Sequence, residues 1–177
     1  MNRVVEEQAA TDPKYRKNLG GRPVRSDAKD LDDEALLAKL RSFGVALDWA
    51  TLEHLCAKNL SAEEIVEPWL RQYTTPPGVD RRQVDWIWVS VDALWQRWFP
   101  HEPSFEMLDD KMQAGYELKK GRDAVAVARV WLDAWADVLH ILDKAGMSSI
   151  EEFAKRFNGS QCLFNWIQDL EGELWAA

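Results

Sequence analysis

Cysteine is nearly absent from this 177-residue chain: Cys56 and Cys162 are the only two. Two thiols so far apart build no disulfide framework and no cysteine-rich zinc site. Each sits in an apolar helical pattern, so both are expected as buried free thiols. Long apolar runs are missing as well. Nothing approaches the ~18 uninterrupted apolar residues of a membrane span, and Met1-Asn2-Arg3-Val4-Val5-Glu6-Glu7 has no apolar signal core. A cytoplasmic protein without membrane contact is expected. Alternating β-branched residues are lacking too; Trp86 to Val91 comes nearest to a strand, but its helical spacing continues into Trp98. Histidine is scarce, with three residues spread over three segments, and Ser61, Ser104, Ser148 and Ser149 stand where helix caps are needed. No nucleophile with its base emerges, so neither an enzyme nor a cofactor is expected.

What the chain does have is tryptophan: ten, at 49, 69, 86, 88, 95, 98, 131, 135, 166 and 175. Eight lie in segments of helical periodicity, which points to an all-α fold with an aromatic core. If Trp86, Trp88 and Trp175 are not all buried, those left over supply the composition of an interface hot spot.

The helices are legible from their spacing and ends. Leu36, Leu37, Leu40 and Phe43 with Gly44 behind them predict a helix near 32–43. Asp48 opens a second, over Leu52, Leu55 and Cys56. Ser61-Ala62-Glu63-Glu64 has capping-box form before a third, kinked at Pro68 beside Trp69. Thr74-Thr75-Pro76-Pro77-Gly78 is the strongest break. Beyond it, Asp80 caps a helix over 81–99, Ser104 one to Gly121, and Asp123 a long one closed by Gly146. Ser148-Ser149-Ile150-Glu151 starts a short helix, and 161–175 forms the last. The reading is an all-α bundle of seven or eight helices over 31–177, in pieces 31–73 and 80–177 joined by the Pro/Gly linker. A flexible basic arm over 1–30 precedes it.

Charge divides at the same boundary. The chain carries −8, distributed as +2 over residues 1–30 and −10 over the rest. An acidic body disfavours a polyanion. The arm differs, since Lys14, Arg16, Lys17, Arg22 and Arg25 include no acid among them, and Gly21-Arg22-Pro23 is similar to the core of an AT-hook. Nucleic acid held through 1–30 is therefore the alternative to a partner protein or peptide.

Two longer stretches carry a resemblance. Met112-Gln113-Ala114-Gly115-Tyr116-Glu117-Leu118 with Trp131-Leu132-Asp133-Ala134-Trp135, and Phe164-Asn165-Trp166-Ile167-Gln168-Asp169-Leu170-Glu171, resemble the helical region of bacterial proteins that often bear a SEC-C metal-binding tail. The sequence ends without that tail's clustered Cys and His, so no zinc site carries over. Gly115 and Tyr116 in one helix, with Ala128 and Trp131 in the next, also resemble a single tetratricopeptide-type hairpin; no second copy follows at a ~34-residue period.

On this reading the body binds a protein or peptide in a groove between the helices of 104–121, 123–146 and 161–175. Trp131, Trp135 or Trp166 would form the aromatic wall, with Gln113, Tyr116, Asn165, Asp169 and Glu173 as polar contacts. Asn165, Asp169 and Glu173 share one helical stripe. Asp133, Asp137 and His140 share another, but without a second carboxylate–histidine pair they do not amount to a metal site.

Overall fold

The computed structural model describes residue 9 and residues 12–74 and 80–177. Among them every regular element is helical, as the spacing predicts. Contacts divide the chain after Glu102 into two compact units. The break expected at 74–78 lies largely outside the described residues.

In the first unit, α1 (Pro13–Asn18), a 3-10 turn (Arg25–Ala28), α2 (Asp33–Ser42), α3 (Trp49–Lys58), α4 (Ala62–Gln72) and a second 3-10 turn (Arg81–Asp85) precede α5 (Trp86–Trp98). The expected helix over 81–99 is thus a 3-10 turn feeding an α-helix. Asp32, Asp48 and Ser61 cap their helices through the side-chain oxygen, and Glu64 reaches back to the Leu60 N–H at 2.7 Å. α5 is the centre, with Ile87, Trp88, Val89, Val91, Leu94 and Trp95 all buried. A helix apolar around most of its circumference must be surrounded; α2, α3, α4 and both 3-10 turns pack on it.

The arm departs from expectation. Residues 12–22 are exposed or half-exposed and carry α1, whereas over 23–28 the segment packs into the unit: Pro23, Val24 and Ala28 are buried. Arg25 Nε lies 2.7 Å from Asp92 Oδ2 on α5, and Gln96 Nε2 donates to both oxygens of that carboxylate. Arg22 pairs with Asp85 at 3.0 Å, Gln83 donates to the Gly21 carbonyl, and Arg97 donates to the carbonyls of Ala28 and Leu31. The acids that neutralise Arg22 and Arg25 stand more than sixty positions away. Local composition therefore shows an uncompensated basic stretch.

The second unit comprises α6 (Phe105–Lys120), α7 (Ala124–Lys144), α8 (Ile150–Arg156) and α9 (Leu163–Ala176). Ser104, Asp123 and Ser149 cap α6, α7 and α8. Gly146 ends α7 with the positive φ expected of a helix-closing glycine, as Gly44 does after α2. Behind α6 the positive φ falls on Arg122, one residue past Gly121. α7 is the spine, packed against both α6 and α9. Phe105, Phe153 and Phe157 close one end of this core as a cluster of edge and tilted ring contacts. Cys56 is buried as expected, but Cys162 is exposed, because it occupies the N-cap of α9 ahead of the first inward residue, Leu163.

Candidate functional site

The hairpin α6–α7 is built around Gly115. A Cβ at that position would stand 1.9 Å from Trp131 Nε1, so only glycine lets the fully buried indole lie against α6. Trp131 Nε1 donates to the Met112 carbonyl at 2.9 Å. Tyr116 meets its ring edge-on at 5.0 Å, and Trp166 does so at 6.3 Å from α9. Trp135 lies tilted against Trp166 at 6.4 Å.

A polar cluster covers this aromatic core on the side where α6 meets α9. Tyr116 Oη donates to Asp169 Oδ2 at 2.8 Å. Lys119 Nζ sits 3.1 Å from both Asp169 Oδ1 and Glu173 Oε1, and 5.6 Å above the Trp131 ring. Burial, then the hydrogen bond to a carboxylate, pushes the Tyr116 phenol well above its ordinary range. Burial opposes the charge on Lys119, but the Asp169 and Glu173 carboxylates outweigh it and raise the ammonium. Gln161 Nε2 approaches Gln113 Oε1 at 3.4 Å.

The groove expected from the sequence is closed at its aromatic wall. Seven of its eight residues, Gln113, Tyr116, Trp131, Trp135, Trp166, Asp169 and Glu173, are brought together, two of them buried and five half-buried in contacts within the unit. Trp131 and Trp166 are fully buried and cannot wall an open groove. Asp169 and Glu173 spend their charge on Lys119. Asn165 alone faces solvent squarely. The physical reason is that an i, i+4, i+8 polar stripe on α9 is equally suited to a cation supplied by a neighbouring helix, and Lys119 supplies it.

Replacing Tyr116 with phenylalanine is expected to lose about 1 kcal/mol, the worth of a half-exposed hydrogen bond to a charged acceptor. Because the phenol's ionisation is raised in the folded protein, this stability is fully present below the ordinary tyrosine range and disappears as pH rises through and beyond it. Urea unfolding at neutral pH and at pH ~11 should show the gap between wild type and Tyr116→Phe closing at the higher pH.

Lys111 treats the other acidic stripe similarly. Its ammonium lies 2.7 Å from both Asp133 and Asp137, so the face carrying Asp133, Asp137 and His140 is occupied by an internal cation. Burial raises the Asp137 carboxyl despite that neighbour.

The side of α7 turned away from the core is where the second unit exposes apolar surface. Val125, Leu132 and Leu139 are 46%, 48% and 50% exposed. With Arg129, Ala136 and Asp143, also exposed, they recur at alternating steps of four and three and so share one face. α9 adds exposed Phe164 and Leu174, and Trp175 at 92% exposure. In the sequence this stripe is masked by the stronger series through Val127, Trp131, Ala134, Val138 and Ile141 on the opposite face. The seven-residue recurrence was its available signal.

Of the tryptophans singled out as possible surplus, Trp88 is buried, Trp86 is half-buried with the Lys39 ammonium 4.8 Å above its ring, and Trp175 is the exposed one. The first unit also holds a cleft of about 310 Å³ lined by Phe43, Val45, Trp69, Tyr73 and Ile87. Of the arm cations, Arg16 pairs with Asp27 at 2.6 Å, Arg22 and Arg25 are engaged as above, and Lys14 and Lys17 are exposed.

No family model matches the chain, and no curated protein or solved structure is significantly similar to it. No described helix is long and apolar enough to cross a membrane.

Proposed function

We propose that the second unit is a non-catalytic protein-binding module whose contact surface is the outer face of α7 with the exposed apolar residues of α9. The observation that carries this is the line Val125, Leu132 and Leu139, half-exposed on a helix whose opposite face is the core of the unit. Three large aliphatic side chains left half in water along one face of a helix are apolar surface of the kind that marks a protein contact. An exposed tryptophan on α9 adds a side chain favoured at binding hot spots. The tetratricopeptide-type reading of α6–α7 rests on Gly115 seated against Trp131, and agrees with a helical scaffold that presents a surface and performs no chemistry.

The nucleic-acid alternative has less support. It would need Arg16, Arg22 and Arg25 released from Asp27, Asp85 and Asp92, which leaves Lys14, Lys17 and Lys29 as the available cations among the described residues of the arm.

Substituting both Leu132 and Leu139 by aspartate is expected to abolish protein capture by the full chain, at least tenfold by the loss of two buried aliphatic anchors, while circular dichroism and melting stay unchanged. Asn165→Ala should leave capture unaffected. Capture that survives the aspartates and fails with Asn165→Ala would return the site to the α6–α9 side.

A further inference from the structure

Resting on that reading, we infer that the occupant of the outer α7 face is a second copy of this chain, docked antiparallel with its two-fold axis at Ala136. Val125, Arg129, Leu132, Ala136, Leu139 and Asp143 follow the four-three spacing of a helix-pairing seam. At its middle stands a small residue, which lets two helix axes approach closely. At its ends stand Arg129 and Asp143, each seven residues from Ala136, and neither forms an ion pair with another described residue.

These two charges select the pairing. In a parallel arrangement Arg129 would meet Arg129 and Asp143 would meet Asp143. In an antiparallel arrangement centred on Ala136, Arg129 of each copy meets Asp143 of the other, and Leu132 packs against Leu139. Two-fold symmetry makes both contacts occur twice from one surface. Like charges across a contact are penalised and opposite charges fix register.

The electrostatics of the whole chain point the same way. At −8, two copies repel at long range, so a self-contact needs a face with balanced charge. This face has it, since Arg129 and Asp143 cancel and Asp133 at its margin is held by Lys111. The face is narrow. A 21-residue helix is about 31 Å long and presents a strip about 10 Å wide, less than the ~800 Å² per partner of a standard interface. A contact of this size belongs with weak, reversible associations.

Sedimentation equilibrium of the full chain over about 1–300 μM, a range chosen to span weak association, should show a reversible monomer–dimer equilibrium. Arg129→Asp alone or Asp143→Arg alone should weaken it about tenfold or more, and the double exchange should restore it. In a Cys162→Ser background, Ala136→Cys should cross-link to itself under mild oxidation, because the axis brings the two positions together, whereas Val125→Cys should not. A chain that stays monomeric throughout, or a dimer indifferent to the charge exchange, overturns the inference. A monomer that still loses protein capture on the Leu132 and Leu139 substitutions overturns the second copy as occupant while leaving the binding face in place. Substitutions that alter neither property overturn both.

Discussion

Gly115→Ala is expected to destabilise the second unit by about 3 kcal/mol, the upper end of the usual cost of overpacking. The added methyl would lie 1.9 Å from Trp131 Nε1, 2.4 Å from its Cδ1 and 2.5 Å from its Cε2. An exposed flexible side chain would swing away. Trp131 has no such freedom: it is fully buried, donates to the Met112 carbonyl, and is held edge-on by Tyr116 and Trp166. Either α6 moves outward, breaking the contacts of Tyr116 and Lys119 with Asp169, or the indole abandons its hydrogen bond. For a unit of this size each kcal/mol lowers the melting temperature by roughly 4–8 °C, so the loss is readily seen by thermal unfolding. Gly172→Ala is the control. It sits inside α9 with nothing within 4 Å of its Cβ position, and alanine there should stabilise by about 0.5–1 kcal/mol. Equal effects at the two sites would mean that the close approach to Trp131 is not what requires glycine.

The second large effect is expected at the other end of the chain. Asp92→Ala should cost the first unit about 3 kcal/mol, the lower end of what removing one partner from a buried ion pair costs. Asp92 is buried on α5, and Arg25 reaches it from a segment that contributes Val24 and Ala28 to the core. Without the carboxylate, the guanidinium stays desolvated against α5 or withdraws and takes the segment with it. Withdrawal has a local signature, because trypsin should then cleave at Arg16, Lys17 and Arg25 faster than in the wild type, Arg22 being protected by Pro23. Arg25→Met combined with Asp92→Ala should be less destabilised than Asp92→Ala alone, since no buried charge is left uncompensated. Unchanged cleavage in Asp92→Ala would show that the segment is held by Val24, Ala28 and the Arg97 contacts instead.

These two sites differ in how far they could be read beforehand. Gly115 and Trp131 belong to a helical pattern whose periodicity is plain, and their pairing as a hairpin follows from the short Gly121–Asp123 connection between two amphipathic segments. Arg25 and Asp92 gave no such sign. Over 14–25 the sequence shows cations, glycine and proline without apolar periodicity, the composition of a solvated arm. Only the three-dimensional arrangement places Asp85 and Asp92 beneath them.

The candidate site divides in the same manner. The polar residues of α9 were recognisable as a group, and seven of the eight residues chosen as a binding groove do lie together. Their internal partners are not legible in the sequence, because periodicity shows which residues share a face without showing what faces them. Lys119 and Lys111 come from α6, and each turns an apparently open acidic stripe into an internal contact. By itself the sequence determined the helices from α2 onward, the caps at Asp48, Ser61, Ser104, Asp123 and Ser149, and the tryptophan-rich core, because these depend on hydrogen bonds and spacings within a few residues. Tertiary structure alone decided which tryptophans are buried, which carboxylates keep their charge for a partner, and that α7 leaves Val125, Leu132 and Leu139 in water, because a buried area or an ion pair is a property of two segments at once.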